Sequence, residues 1–372
     1  MAPFDGAYDK SLARAARAAM VDVAGVKKGE RVLIITNPMK EIRDVAMSLF
    51  DATLERDAIP VLLVQKEKGQ FDFAEVEVVT SIETVPDVVI SISHDRLGKD
   101  KYGLKHGYKG KKRRYESMYD LLYEEGKLRT FWSPGITLDM FKRTVPIDYT
   151  RLRSDAKKLC KILTGSEKVR VTAPGGTDFT LSLRGRKAKA DDGDYRQPGR
   201  GGNVPSGEAY ACPALGTANG VIAFDGSIVL NEGEIVIKRP IIADVKDGFV
   251  TSISGGREAV QLEESVKAGE MKARKMGRSG EMRPNLVEKY AKNAWAIGEL
   301  GIGLNRKAKI IANMLEDEKV YGTCHFAIGS NYDGDAEAMI HLDGLVKSPT
   351  ISATTNSGKE VEFMVDGKLA WD

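Results

Sequence analysis

A chain of 372 residues, 42% hydrophobic and 29% charged, exceeds the size at which one core usually keeps growing, so two domains are expected, and 38 glycines make it rich in turns. A formal net charge of +3 gives no argument for a nucleic-acid binder, and no segment reaches the roughly 18 to 20 uninterrupted apolar residues of a membrane span. The first helix carries charges where a signal peptide would be apolar, so a cytoplasmic location is expected. Cys160, Cys212 and Cys324 lie far apart with no CxxC spacing, which indicates reduced thiols rather than a disulfide framework or a zinc knuckle.

From Asp9 to Val23 the residues Leu12, Ala15, Ala16, Ala19, Met20 and Val23 recur at helical spacing, and Gly25 to Gly29 ends that helix before the strand run Val32 to Thr36. Ile42 to Leu54 is again helical, whereas Pro60 to Val64 and Pro86 to Ile92 read as buried strands. Short apolar strands alternating with helices predict a parallel α/β layer. After the first strand the chain runs Thr36-Asn-Pro-Met-Lys40 instead of GxGxxG, so a dinucleotide site is not expected. The stretch Lys99 to Arg114 is basic, with Tyr102 and Tyr108 interleaved. It reads first as a solvated loop, with steering of an anionic substrate or docking of a partner as the functional options, and the near-neutral total argues against nucleic acid.

Val145 to Lys168 has helical spacing in its middle and leads into a strand, Lys168 to Thr172, so a domain boundary is placed between Thr164 and Glu167. Strand and turn patterns then dominate: Asp178 to Leu183, Gly220 to Phe224, Gly233 to Ile237 and Gly248 to Ile253. Helices from about Leu262 to Met276 and from Leu286 to Ala296 interrupt them. The expected architecture is an α/β N-terminal domain with parallel strands over 1–165, followed by an α+β C-terminal metal-binding domain over 166–372.

The metal expectation starts from His341 and Asp343, which on a strand leave the same face two residues apart and can converge on one cation. His325, in a second apolar alternation a hairpin's distance away, strengthens it. Imidazole with carboxylate suits zinc, cobalt, manganese or ferrous iron better than calcium. Glu208 follows a Pro/Gly turn and Glu299 sits among glycines; taken alone, each reads as an ordinary surface carboxylate. Cys212 and Cys324, close in sequence to Glu208 and His325, are expected as small buried thiols rather than ligands.

Four motifs in order, Asn203-Val-Pro-Ser-Gly-Glu208, Gly298-Glu-Leu-Gly-Ile-Gly303, Gly322-Thr-Cys-His-Phe-Ala-Ile-Gly329 with Tyr332 after it, and His341-Leu-Asp343, resemble the aminopeptidase T family of metalloaminopeptidases. The resemblance covers the second domain well and the first more loosely, through the run from Val26 to Ile35. It implies a homodimeric aminopeptidase acting on small peptides, with two divalent ions, zinc or cobalt with manganese as an option, held by Glu208, Glu299, His325, His341 and Asp343. A water shared by such a pair is acidified and attacks the first peptide carbonyl. Tyr332 would donate to the oxyanion, and Glu299 is the candidate catalytic glutamate beside it, although the sequence leaves open which glutamate is the base.

The first motif has Ser-Gly-Glu where many of those peptidases have adjacent acids, and only 16 positions separate His325 from His341. The same resemblance extends to the ferrous 2,5-dihydroxypyridine dioxygenases, whose two-histidine, one-aspartate site His325, His341 and Asp343 could equally form. That is the alternative function, a mononuclear iron, ring-cleaving dioxygenase.

Overall fold

The computed structural model describes residues 9–69, 72–111 and 113–372, so Lys112 of the basic stretch lies outside the described residues. The chain forms two compact units, one running up to Arg153 and joined by Asp191–Ser206, the other made of Ser154–Ala190 and Gly207–Asp372. The sequence reading placed a single boundary near 165. The units interleave because the short strand Gly201–Asn203 returns to pair with Arg129–Pro134 at the edge of the first sheet.

In the first unit five parallel strands lie in the order Gly201–Asn203, Arg129–Pro134, Val88–Ser93, Arg31–Thr36 and Ile59–Val64. Val88–Ser93 is buried along its whole length, as a central parallel strand covered on both faces must be. Helix Lys10–Ala18 starts at Asp9, whose carboxylate accepts the Leu12 N–H at 2.9 Å, and runs on as a π-helical turn over Ala19–Val23. Arg129, buried at the start of its strand, pairs with Glu30 and donates to the Ala24 carbonyl at 2.7 Å. The basic stretch differs from the expected loop. It folds as the helix Lys101–His106, capped by Asp100, and a two-residue ladder of Tyr108–Lys109 with Arg114–Tyr115. Tyr102 and Tyr108 pack at 5.6 Å between ring centroids and line, with Phe73, a cavity of about 800 Å³.

The second unit is built on two antiparallel sheets. In the larger, Ser166–Thr172 pairs with Asp178–Ser182 on one side and Thr350–Thr355 on the other. In the other, Ser227–Leu230, His341–Lys347, Thr323–Gly329, Ile297–Gly303 and Glu208–Ala211 lie side by side in that order. Phe326 points to the larger sheet and meets Phe179 edge-on at 5.0 Å, both rings fully buried. Helices Arg257–Ser279 and Pro284–Asn293 pack together through Ala273, Ala291 and Met282. The second of these stops short of the expected Ala296, because the chain must be extended from Ile297 to enter the sheet. Among the described residues no helix is long and apolar enough to cross a membrane.

Truncating one ring of the inter-sheet pair leaves a cavity that close-packed neighbours fill only in part. Phe326→Ala is therefore expected to cost about 3–5 kcal/mol of stability, read from the urea unfolding midpoint. A loss under about 1 kcal/mol would mean that the sheets do not lean on this contact.

Candidate metal centre

Strand register gathers the chemistry. Asp343 pairs with Ala327, Ala327 with Glu299, and His325 with Gly301, so the period-two alternation puts Glu299, His325, His341 and Asp343 on one face of three adjacent strands. Glu208 joins that face from the fourth strand, opposite Gly303. The other face carries Cys324, Phe326 and Ile328 into the core. Cys324 therefore points away from the cluster, and both it and Cys212 are buried thiols held protonated, Cys212 at about 11, by burial. Glu208 and Glu299 are not the surface carboxylates that each motif suggests alone, since both are buried.

Two glycines of the Gly298 to Gly303 motif make room for the cluster. A side chain at Gly301 would place its Cβ 2.0 Å from His325 Nε2, and one at Gly303 would come 2.1 Å from the Val320 carbonyl. The first lets the imidazole lie flat across the neighbouring strand. The second lets the segment that follows helix Met314–Asp317 cross close above the sheet, held by the Asn305 N–H donating to the Lys319 carbonyl at 2.7 Å.

His325 Nε2 lies 3.4 Å from Glu208 Oε2 and 3.5 Å from Glu299 Oε1, while His341 Nε2 lies 3.3 Å from Asp343 Oδ1 and 3.8 Å from Glu299 Oε2. Glu208 Oε2, Glu299 Oε2 and Asp343 Oδ1 are buried without a hydrogen-bond partner. Three of these separations, 3.3 to 3.5 Å, are long for hydrogen bonds but are those of ligands that each stand about 2.1 Å from a shared cation, and the 3.8 Å pair is wider. His341 Nδ1 donates to the Ser330 carbonyl at 2.8 Å, which orients the ring with Nε2 toward the carboxylates. The residues present therefore fit a divalent metal.

Electrostatics agree with the geometry. Burial alone would lower both imidazoles, yet Glu299, Glu208 and Asp343 raise His325 to about 9, and Asp343 with Glu299 raises His341 to about 10. Burial pulls Asp343 upward, but His341, with His325 and Lys319, outweighs it and holds the carboxyl at about 2. At Glu208 burial wins over the Lys319 ammonium, and the carboxyl rises to about 8. The cluster thus carries more carboxylate than its own cations neutralise and keeps protons in compensation.

Sequence reasoning missed two members. Glu318 brings a carboxylate oxygen into a set with Glu208 and His325 whose ligand atoms all lie within 4.8 Å of one another. Lys319 is fully buried, its Nζ 2.6 Å from Glu208 Oε1 and 2.5 Å from Glu318 Oε1. An adjacent Glu-Lys pair is the commonest of surface patterns, and only its place just ahead of the His325 strand was a signal. Tyr332 stays 61% exposed, its ring 5.2 Å from His341 and 5.8 Å from Tyr210. Its phenol is held protonated, by partial burial and then by Glu299 and Asp343.

Fold and site define a two-unit, mixed α/β protein with a buried centre able to hold a divalent cation. The chain belongs to the 2,5-dihydroxypyridine 5,6-dioxygenase (NicX) family, whose model matches residues 137–353. A 2,5-dihydroxypyridine 5,6-dioxygenase of Pseudomonas putida KT2440 is 26% identical over 199 residues, 49% of this chain and 49% of that protein, so the match spans about half of the curated relative. A solved 2,5-dihydroxypyridine dioxygenase from the same organism superposes with a TM-score of 0.70 at 15% identity, over 98% of this chain and 99% of the other. Wild-type AmpT of Thermus thermophilus superposes at 0.64 with 16% identity, over 97% and 99%. At such identities the superpositions establish the fold alone.

Family membership overturns the aminopeptidase T assignment, and with it the hydrolase, aminopeptidase and protease activity expected from the motifs. Those motifs are the strands and turns of a sheet that both folds possess, so they report the scaffold before the reaction. The family implies a metal cofactor, in keeping with the buried histidines and acids.

Gly301→Ala must push His325 aside, and metal affinity measured by competition with a chromogenic chelator should fall about 10- to 100-fold. Unchanged affinity would take His325 out of the ligand set. Metal entering through Nε2 must also displace imidazole protons held up to about pH 9 and 10, so affinity should weaken as pH falls below 9. By the same linkage the raised imidazoles stabilise the metal-free fold fully below their ordinary 6.5, and that contribution is lost as pH rises through 9 to 10. The thermal midpoint of the metal-free protein should therefore drop between pH 7 and 10.

Proposed function

We propose that this protein is a ring-cleaving dioxygenase acting on a hydroxylated nitrogen heteroaromatic of the 2,5-dihydroxypyridine class, with one ferrous ion held by His325, His341 and Asp343. The observation that carries this reading is that the matched stretch, 137–353, contains every residue of the centre. A two-histidine, one-carboxylate set leaves open positions, and a ferrous ion bound there supplies the one-electron chemistry that lets molecular oxygen react with an electron-rich ring.

The chain's own groups do the rest. His341 is oriented by its Nδ1–H bond to Ser330, and the low pKa of Asp343 keeps a full negative charge beside it. Glu208, whose carboxyl burial pushes upward, keeps an unbonded Oε2 that can accept a proton from a substrate hydroxyl. Tyr332 and Tyr210 present an aromatic wall beside His341, suited to a planar ring, and Tyr332 keeps its hydroxyl proton to donate to a ring oxygen. That replaces the oxyanion role expected of it.

Oxygen uptake on adding 2,5-dihydroxypyridine to protein reconstituted anaerobically with ferrous iron, with loss of the ring's ultraviolet absorbance, is the expected result. His341→Ala should abolish both while keeping the circular dichroism of the parent. Iron-loaded protein that consumes no oxygen with any dihydroxypyridine would overturn the reading. Tyr332→Phe should lower kcat about ten-fold or more if the hydroxyl donates to the ring, and leave it unchanged if the ring only packs.

A further inference from the structure

Lys319 is the least expected side chain in the second unit. A fully buried lysine is rare, and this one is anchored between two carboxylates, Glu208 at 2.6 Å and Glu318 at 2.5 Å. Its backbone is fixed as well: its carbonyl accepts from Asn305 at 2.7 Å and its N–H donates to the Glu316 carbonyl at 3.0 Å. The turn before it is pinned by Asp317, which accepts the N–H groups of Ile311 and Ala312. The backbone is thus fixed by the segment that crosses Gly303, and the ammonium is held by its two carboxylate partners.

Glu208 and Glu318 are also two of the three groups, with His325, whose ligand atoms come within 4.8 Å of one another. Those two carboxylates mark the place where a second cation could be held. A cation between these carboxylates would neighbour the one assigned to His325, His341 and Asp343, because Glu208 Oε2 lies 3.4 Å from His325 Nε2, and neighbouring metals can share a water. It would have to draw on the same two carboxylates between which Lys319 Nζ already sits, bonded to Glu208 Oε1 and Glu318 Oε1. With the ammonium already neutralising this pair and occupying the space between them, a divalent ion there gains less attraction to offset its own desolvation.

We propose that Lys319 is a built-in monovalent cation in the second-metal position, and that it restricts the centre to one divalent ion. The inference rests on the metal-centre reading above. Lys319 acts on metal count through Glu208 and Glu318 and is a specificity-determining residue, not a catalytic one. It selects against a second divalent ion and the paired-metal activation of water that such an ion would bring, leaving a single ion with open positions.

Equilibrium dialysis of metal-free protein against excess Co²⁺, with metal and protein quantified on the same sample, tests this without any activity assay. The wild type should retain one cobalt per chain. Lys319→Ala, which removes the ammonium and opens its space, should retain two, and adding Glu318→Gln to that variant should return the count to one. If Lys319→Ala does not fold, Lys319→Gln, whose amide still donates to the carboxylates, takes its place and is expected to gain a second cobalt likewise. Two cobalt ions in the wild type, or one in the folded Lys319 variants, would overturn the proposal while leaving the metal centre standing. No uptake by the wild type would remove the centre and this inference together.

Discussion

Buried negative charge in excess of buried positive charge is the constraint on which the second unit turns. Among the described residues, four carboxylates, Glu208, Glu299, Glu318 and Asp343, meet over one sheet face with Lys319 and two imidazoles to balance them. Burying carboxylates this way is costly unless cations or protons accompany them. The raised pKa values of Glu208, His325 and His341 express that need, and a divalent ion meets it with better geometry than protons do.

The sheet makes this concentration of charge possible. Antiparallel strands spaced about 4.8 Å apart, with alternate residues on each face, bring side chains more than a hundred residues apart in sequence within a few ångströms. The reverse face gives the cluster a rigid floor, through Phe326 against Phe179 and the buried residues around them. Glycines 301 and 303 take the space that side chains would fill, so the imidazole of His325 and the strap bearing Lys319 can both approach the sheet. A loop-built site could hold the same residues, but not with so little freedom to relax away from the unfavourable charge.

The likeness to both a dioxygenase and AmpT follows from the same economy. One fold is shared by proteins named for different activities, so what decides the reaction lies in the side chains placed on it. The motifs read as peptidase-like were the strands themselves, whereas the group that separates one cation from two, Lys319, lies between motifs. Attention to the ligands alone therefore led to the wrong reaction on the right framework.

Much of the framework was legible in the chain. Apolar runs at Val32 to Thr36 and Pro86 to Ile92 specified parallel strands because only a strand buried on both faces reads so continuously, and the His341-Leu-Asp343 alternation fixed two side chains on one face. What remained out of reach depended on distance in three dimensions. The return of Gly201–Asn203 to the first sheet, the burial of Glu208 and Glu299, and the seating of Glu318 and Lys319 over Gly303 each require strands or straps from remote parts of the chain. Local sequence determines the period of a strand and the chemistry of its side chains; only tertiary structure decides which of them lose water, and a charge becomes a ligand or a counter-ion only when that water is gone.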